Sequence, residues 1–346
     1  MTTGKKRETL KTIAEALNVT HTTVSNVFNH PEKVSPELRE KILAYAEAIN
    51  YHGPTGAGRF LRTGKSGTLG VIFNDNLSYV FSDRHDIALM RGIAEECEKH
   101  GINIALMPLK VNNEFKKRMM SAVVDGYILN ATYSNDEIVQ AALTSGLPVV
   151  TTDIKLQDFT CVSIDDAAAM RAICEHLLAA GHKKFGIVAF PVKKEAGVLS
   201  SLAEFSDEFD NGVAFGRVSA CIKALSAAGI DLTTSHVAEQ HHDEAGGEEA
   251  AKVLLAREPG ISAIICLSDR FAFGVYHYCQ SHNIPVPSQM AITGFDDIDI
   301  QDPPIALTTI RQPIVAKGHH AARALIAGQL TEDIFLDFEL IIRDSA

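Results

Sequence analysis

Residues 9–29, TLKTIAEALNVTHTTVSNVFN, constrain this chain more than any other stretch, because they carry the punctuation of two short helices joined by a tight turn. Leu10, Ile13, Ala14 and Leu17 recur at i, i+3, i+4 and i+7, which draws a narrow apolar stripe along a first helix with Thr9 as its N-cap. Asn18 follows at the turn, where the backbone needs a positive φ and Asn is the most tolerant residue after Gly. Thr20 caps a second helix that turns Val24, Val27 and Phe28 inward and leaves His21, Thr22, Thr23, Ser25 and Asn26 outward, with Asn29 at its end. An outward face of short hydrogen-bonding side chains suits base edges and phosphates better than it suits a core. A third helix is predicted after Ser35, with Pro36 at its first position and Leu38, Ile42, Tyr45, Ala46 and Ile49 on one face, enough to close a three-helix head.

Charge separates this head from the rest. Residues 1–66 hold ten Lys/Arg against six Glu and no Asp, a net of +4; the whole chain carries −11, so the remainder carries −15. A basic head on an acidic body draws DNA to the head alone. Residues 51–66 are rich in Gly and basic residues and poor in apolar ones, the composition of a linker. Their RTGKS is not a phosphate-binding loop: that loop needs Gly five positions before the Gly of GK[ST], and Arg59 stands there. At 346 residues and 46% hydrophobic content the chain exceeds one ordinary domain and can support sizeable cores. No apolar run approaches a membrane span, and the amino terminus passes from a basic run straight into an amphipathic helix, so a cytoplasmic protein is expected, with no membrane partner. Six cysteines lie scattered at 97, 161, 174, 221, 266 and 279 without CxxC pairing, which reads as reduced core residues and no metal site.

From Gly67 onward, strand-like runs at 68–73, 102–107, 126–129, 148–152, 185–190, 235–239, 263–267 and 290–294 alternate with helical patterns such as 87–100, 167–180, 217–228 and 248–257. That alternation implies parallel sheets covered by helices. The strands are too many for one ordinary sheet, so the fold class expected is an all-α head plus an α/β body of two doubly wound lobes, with a break near Ser163. Such sheets bind ligands at the carboxyl ends of their strands, and two facing sheets make a cleft. Asp153 ends one strand, Ser268 and Asp269 end another, and Arg217 follows the long loop 191–215. Tyr79 and Phe81, after the first strand, could supply an apolar wall.

Ten stretches in order carry a resemblance to a known family: the 9–29 segment, VSPELREKILAYAEAINY, GRFLRTGKSGTLGVIF, DGYILNA, GLPVVTTD, SIDD, HLLAAGHKKFGIV, ICLSDRFAFG, ITGFDD and LTTIRQP. Together they resemble the lactose-repressor and galactose-repressor family of bacterial ligand-responsive transcription regulators, over essentially the whole chain. The resemblance implies a sequence-specific DNA-binding repressor, active as a homodimer on a palindromic operator, whose affinity is set by a small polar effector, a sugar or nucleoside, held between two lobes. It implies a head at 1–52, a hinge at 53–66 and an effector and dimerisation body at 67–346, with an N-lobe of about 67–162 and 293–328 and a C-lobe of about 163–292 and 329–346. In the hinge, Leu61 matches the residue that enters the minor groove, and Arg59 and Arg62 would lie on phosphates. Gly56 and Gly58 weaken that helix by up to roughly 1 kcal/mol each. In the cleft, Arg217 matches the effector-holding arginine, Asp269 the aspartate that accepts from ligand hydroxyls, Asp153 a third polar contact and His242 a ring that stacks on the ligand. Asp296 and Asp297 of GFDD are assigned to structural roles at the lobe crossover.

Other classes fit less well. A periplasmic solute-binding protein would share the two-lobed body but needs an export signal and would lack residues 9–29. An enzyme would need an acid/base pair in the cleft, and no GxSxG, HExxH or dinucleotide glycine fingerprint is present. No enzymatic activity, cofactor or metal is therefore expected. The 191–215 insert departs from the family's commonest pattern, and no leucine-heptad tail follows Leu340, so a tail-mediated tetramer is not expected.

Overall fold

The computed structural model describes residues 8–53, 60, 63–119, 121–131, 136–156, 158–193, 196–206, 209, 211–300 and 303–346. The chain divides into two compact units, Met1–Ser66 and Gly67–Ala346. Arg59, Leu61 and Arg62 of the hinge, and both of its glycines at 56 and 58, lie outside the described residues.

The first unit is three helices, α1 (Leu10–Leu17), α2 (His21–Asn29) and α3 (Pro36–Ala48). Each begins where a hydroxyl caps it: Thr9 accepts from the Thr12 amide, Thr20 from Thr23 and Ser35 from Leu38. Asn18 ends α1 with φ +52°, and its amide reaches back to the carbonyls of Ala14 and Glu15. The turn aims α2 so that Val24 and Val27 meet Ile13, Ala14, Ile42 and Ala46, six buried residues in all. Phe28 packs edge-on against Tyr51, with ring centroids 5.7 Å apart.

The second unit is built on two sheets. β1 (Thr68–Phe73), β2 (Asn103–Pro108), β3 (Tyr127–Asn130), β4 (Val149–Thr152), β5 (Thr160–Ser163) and the two-residue β12 (Ile334–Phe335) run in the order β12-β5-β4-β3-β1-β2, all parallel. β6 (Phe185–Ala189), β7 (Val198–Ser201), β8 (His236–Glu239), β9 (Ala263–Cys266) and β10 (Ala291–Thr293) run in the order β10-β9-β6-β8-β7, parallel except that β7 is antiparallel to β8. β11 (Thr309–Arg311) and β13 (Glu339–Ile341) make a small antiparallel ribbon. Strands such as Val71, Ile72 and Phe73 are apolar without alternation because helices cover both faces.

Two expectations change. Ile334–Phe335 pairs with Val162–Ser163, so residues 329–335 belong with the N-lobe sheet, not the C-lobe. Thr308 bridges to Thr293, and Arg311 to Asp296, so the stretch 293–311 lies along the C-lobe before the chain crosses. Both boundaries rest on pairings of one or two residues, which leave no periodicity to read. The 191–215 insert contributes the edge strand β7 and a stack in which the ring of Phe215 lies 4.1 Å from Phe209 and 6.0 Å from Phe205. All six cysteines are buried and unpaired, and among the described residues no helix is long and apolar enough to cross a membrane.

One packing detail sets up the cleft. The helices Arg84–His100 and Ile314–Ala327 cross through Gly92 and Gly318, where an added Cβ would lie 2.0 Å from the Val315 carbonyl oxygen and 2.2 Å from that of Leu89. No side chain fits there. This backbone-close contact brings Lys317, beside Gly318, beneath the carboxyl end of β4.

Candidate functional site

On the head, the polar residues of α2 divide into two groups. Thr20 and Thr23 are tied to one another, hydroxyl to hydroxyl at 2.8 Å, and the Asn29 amide donates to the Ser25 carbonyl and hydroxyl at 2.8 and 3.3 Å. Thr9 is committed to its capping box with Thr12. Among the described residues the side chains of His21, Thr22 and Asn26 have no hydrogen-bond partner. Their donors and acceptors are free to meet another molecule.

In the body, the strand ends of both sheets enclose a cavity of about 390 Å³, whose lining includes Asn74, Tyr79, Asp86, Asn130, Asp153, Phe190, Asn211, Arg217, His242 and Asp296. Arg217 is 4% exposed; its Nε donates to Asp166 at 2.9 Å, its Nη1 to the Leu267 carbonyl at 3.0 Å, and its guanidinium lies 3.6 Å from the centre of the Phe295 ring. Asp153, at the end of β4 with φ +64°, accepts from the fully buried Lys317. Burial disfavours its charge, but Lys317, His85 and Arg217 together outweigh that and hold the carboxyl below its ordinary value. Asp296 faces the same space at φ +111°; burial pushes it up to about 6, against the pull of His85, Arg217 and Gln312.

One rim is closed by contacts between lobes. The Tyr79 hydroxyl meets His242 Nδ1, also donates to its carbonyl at 3.1 Å, and lies 3.2 Å from Asp83 Oδ2. His242 Nε2 pairs with the Ser268 hydroxyl at 2.8 Å, and Arg270 spans Asp83 and Glu244. Burial pushes His242 down to about 4, so the imidazole is neutral at pH 7. Asp83, His85 and Asp86 stand close enough to share a cation. Their oxygens are already engaged: Asp83 caps the Asp86 amide and Asp86 accepts from Asn130 at 2.9 Å. This is an ion-pair cluster, with His85 held up to about 9, where burial is outweighed by the Asp86 hydrogen bond and the field of Asp296.

Comparison with known proteins places both units. Residues 9–53 match the family model of bacterial regulatory proteins, lacI family, and residues 66–327 match that of periplasmic binding proteins and the sugar binding domain of the LacI family. The HTH-type transcriptional regulator Rv3575c of Mycobacterium tuberculosis is 34% identical, over 94% of this chain and 92% of its own. The chain belongs to the LacI family. It is similar also to the ribose operon repressor of Haemophilus influenzae, at 28% identity over 92% and 91% of the two chains. The fold matches a crystal structure of the lac repressor dimer bound to operator and the anti-inducer ONPF, with TM-score 0.78, 22% identity and coverage of 98% and 99%.

This LacI-family chain is thus a DNA-binding transcription regulator with a ligand-binding body. Within that frame, the structure gathers Asp153, Arg217, His242 and Tyr79 at the cleft and leaves two expected residues out. Phe81 is 62% exposed and does not line the cavity. Asp269 is turned away, accepting from the Thr309 hydroxyl at 2.6 Å and the Ile298 amide at 2.8 Å. Burial and the charge of Asp296 push it up to about 8. The reason is local: Asp269 opens the helix Asp269–Ser281, and its Oδ1 fills the space beside Gly294, where a Cβ would lie 2.1 Å away. The cleft acid is instead Asp296 of GFDD, assigned above to the crossover. Its neighbour Asp297 does hold that crossover, accepting from Arg311 and Arg343 at 2.7 Å each. Asn130, Asp86 and Asn211 also line the cavity, and of these only Asn130 has a sequence signal, since it ends a strand as Asp153 follows one. His242 is held by Tyr79 and Ser268 on both ring nitrogens, which fixes its ring at the rim of the cavity it lines.

Proposed function

We propose that this regulator represses transcription from a palindromic operator as a cytoplasmic homodimer, and that a small neutral polyhydroxyl compound, a sugar or nucleoside, binds in its cleft and sets operator affinity. The observation that carries the ligand class is the cleft's excess of acids: Asp75, Asp83, Asp86, Asp153, Asp243 and Asp296 line the cavity against Lys110, His85 and an arginine already matched by Asp166. Carboxylates accept from hydroxyls strongly and repel phosphates, while Phe190 and Tyr79 give a sugar ring apolar contact. Similarity to a ribose operon repressor supports the same class. The cleft binds without turning over: the Ser268 hydroxyl beside His242 is spent on capping the Phe271 amide of its own helix.

On DNA, His21 and Thr22 read bases at the entering end of α2 and Asn26 pairs with adenine, while Thr9, Thr20, Thr23, Ser25 and Asn29 hold the helix against the backbone. Arg59 and Arg62 neutralise phosphates beside a Leu61 wedge. The intact chain should select a palindromic motif from a random duplex pool, and Asn26→Arg should change one symmetric position towards guanine. Calorimetry with pentoses, hexoses, nucleosides and their phosphates should give heats for neutral members only. A phosphorylated sugar that binds more tightly than its parent overturns the ligand assignment.

A further inference from the structure

Beneath the cleft, a hydrogen-bonded chain joins the two acids that face the ligand space from opposite lobes. Lys317, with none of its surface exposed, donates from Nζ to Asp153 and to Gln312 Oε1 at 2.6 Å. Gln312, 4% exposed, donates in turn from Nε2 to Asp296 Oδ1 at 2.5 Å. Asp153 and Asp296 line the cavity; Lys317 and Gln312 do not. A buried ammonium is expensive unless it is paired and hydrogen-bonded. A leucine or methionine would suit this helix interior as well, so the ammonium calls for a reason beyond packing.

We propose that Lys317 is the positioning residue of the ligand cleft: it fixes Asp153 directly, and Asp296 through Gln312, as oriented acceptors for hydroxyl groups. This rests on the reading of the cleft as a sugar or nucleoside site. Each carboxylate has one oxygen held by the chain, and both residues line the cavity, which suits a ligand presenting hydroxyls to both lobes. The relay is graded. Asp153 touches the ammonium itself, whereas Asp296 receives it only through an amide. The charged groups around Asp153 are Lys317, His85, Arg217 and Asp166; around Asp296 they are His85, Arg217, Asp83 and Asp269. Asp296 therefore protonates first as pH falls, and removal of Lys317 brings Asp153 up towards it.

The test reads the acids with and without a ligand. Side-chain carboxyl NMR of the full chain, labelled at aspartate, should show the Asp153 titration moving up by about one unit or more in Lys317→Met, a tenfold change in its proton affinity. Gln312→Leu should shift Asp296 and leave Asp153 in place, and it keeps the proposal testable if Lys317→Met does not fold. D-ribose and cellobiose then serve as probes by calorimetry between pH 5 and 8. Wild type should lose affinity only as Asp296 protonates near pH 6, and Lys317→Met should begin to lose it at higher pH. Unchanged carboxyl titrations in both variants overturn the role of Lys317. Shifted titrations in a chain that binds neither sugar would instead uphold the relay and count against the sugar reading.

Discussion

The head and the cleft are both rich in polar side chains, and they use them in opposite ways. In the head, side-chain hydrogen bonds among the described residues join positions close in sequence, such as Thr9 with Thr12, Thr20 with Thr23 and Ser25 with Asn29. They are caps and turn locks, and among the described residues they leave His21, Thr22 and Asn26 without a partner. In the cleft the partners are remote: Tyr79 with His242, Lys317 with Asp153 and Arg270 with Asp83. A surface that meets a partner already covered in phosphate and base edges needs open donors and acceptors. A cavity that must stay folded while empty needs its charges satisfied by one another, so ligand recognition there is an exchange of partners.

The largest effect that could break this comparison is in the head's core. Ile42 is fully buried among six residues, and Ile42→Ala should cost about 2–5 kcal/mol, a large part of what so small a unit has. Operator binding should be lost in a gel-shift titration, while the urea transition of the body stays where it was. A body transition that moves with the head's would show that the two units do not fold separately.

Next comes the exchange of roles between two aspartates. Asp296→Ala should abolish the heat of ligand binding, and because the buried Gln312 amide loses its acceptor it should also lower the melting temperature. Asp269→Ala should keep the heat of ligand binding while destabilising by about 1–3 kcal/mol, because the buried Thr309 hydroxyl and the Ile298 amide lose their acceptor. The opposite pattern would return Asp269 to the ligand.

Smaller, and opposite in sign, are two pH dependences. His242 lies near 4 when folded against 6.5 ordinarily, so the unfolded chain binds its proton first; the contribution is present above pH 6.5 and is lost as pH falls towards 4. Asp269 lies near 8 against 3.8, so the folded chain keeps its proton longer; its contribution is full below pH 3.8 and is lost as pH rises through 8. Each slope is at most about 1.4 kcal/mol per pH unit for one proton. Denaturant titrations of His242→Gln and Asp269→Asn should flatten the acid and the alkaline limb respectively, and a variant that leaves its limb unchanged removes that residue from the argument.

The same contrast explains what could be read in advance. The Thr9 and Thr20 caps, the Asn18 turn and the Val24 and Val27 stripe are short-range, and local spacing is what a sequence displays. The alternation of the body, too, follows from apolar runs. The cleft's wiring does not: nothing near Asp269 announces that Thr309 will take its carboxylate, and nothing near Asp153 announces Lys317. Asp296 and Asp297 are adjacent and alike in sequence, yet a positive φ at each turns one into the cavity and the other onto Arg311 and Arg343. The two-residue β12 is invisible for a further reason, since its partner strand supplies the register.

The finest test separates caps from contacts within α2 itself. Thr20 accepts from the Thr23 amide at 3.0 Å, so Thr20→Ala removes an N-cap and should cost about 1 kcal/mol of head stability. Thr22, two residues on, is exposed and without a partner among the described residues, so Thr22→Ala should leave stability within about 0.5 kcal/mol. Their effects on operator binding should differ in kind. Loss of a base contact at Thr22 should weaken the preferred operator more than random duplex, whereas the Thr20 variant should weaken both in the same ratio, because a frayed helix meets any phosphate backbone less well. Competition binding against nonspecific DNA at fixed salt measures that ratio. If Thr20→Ala alters the preferred bases, the hydroxyl acts on DNA as well as on the helix, and the division of α2 into locked and open residues fails at that position.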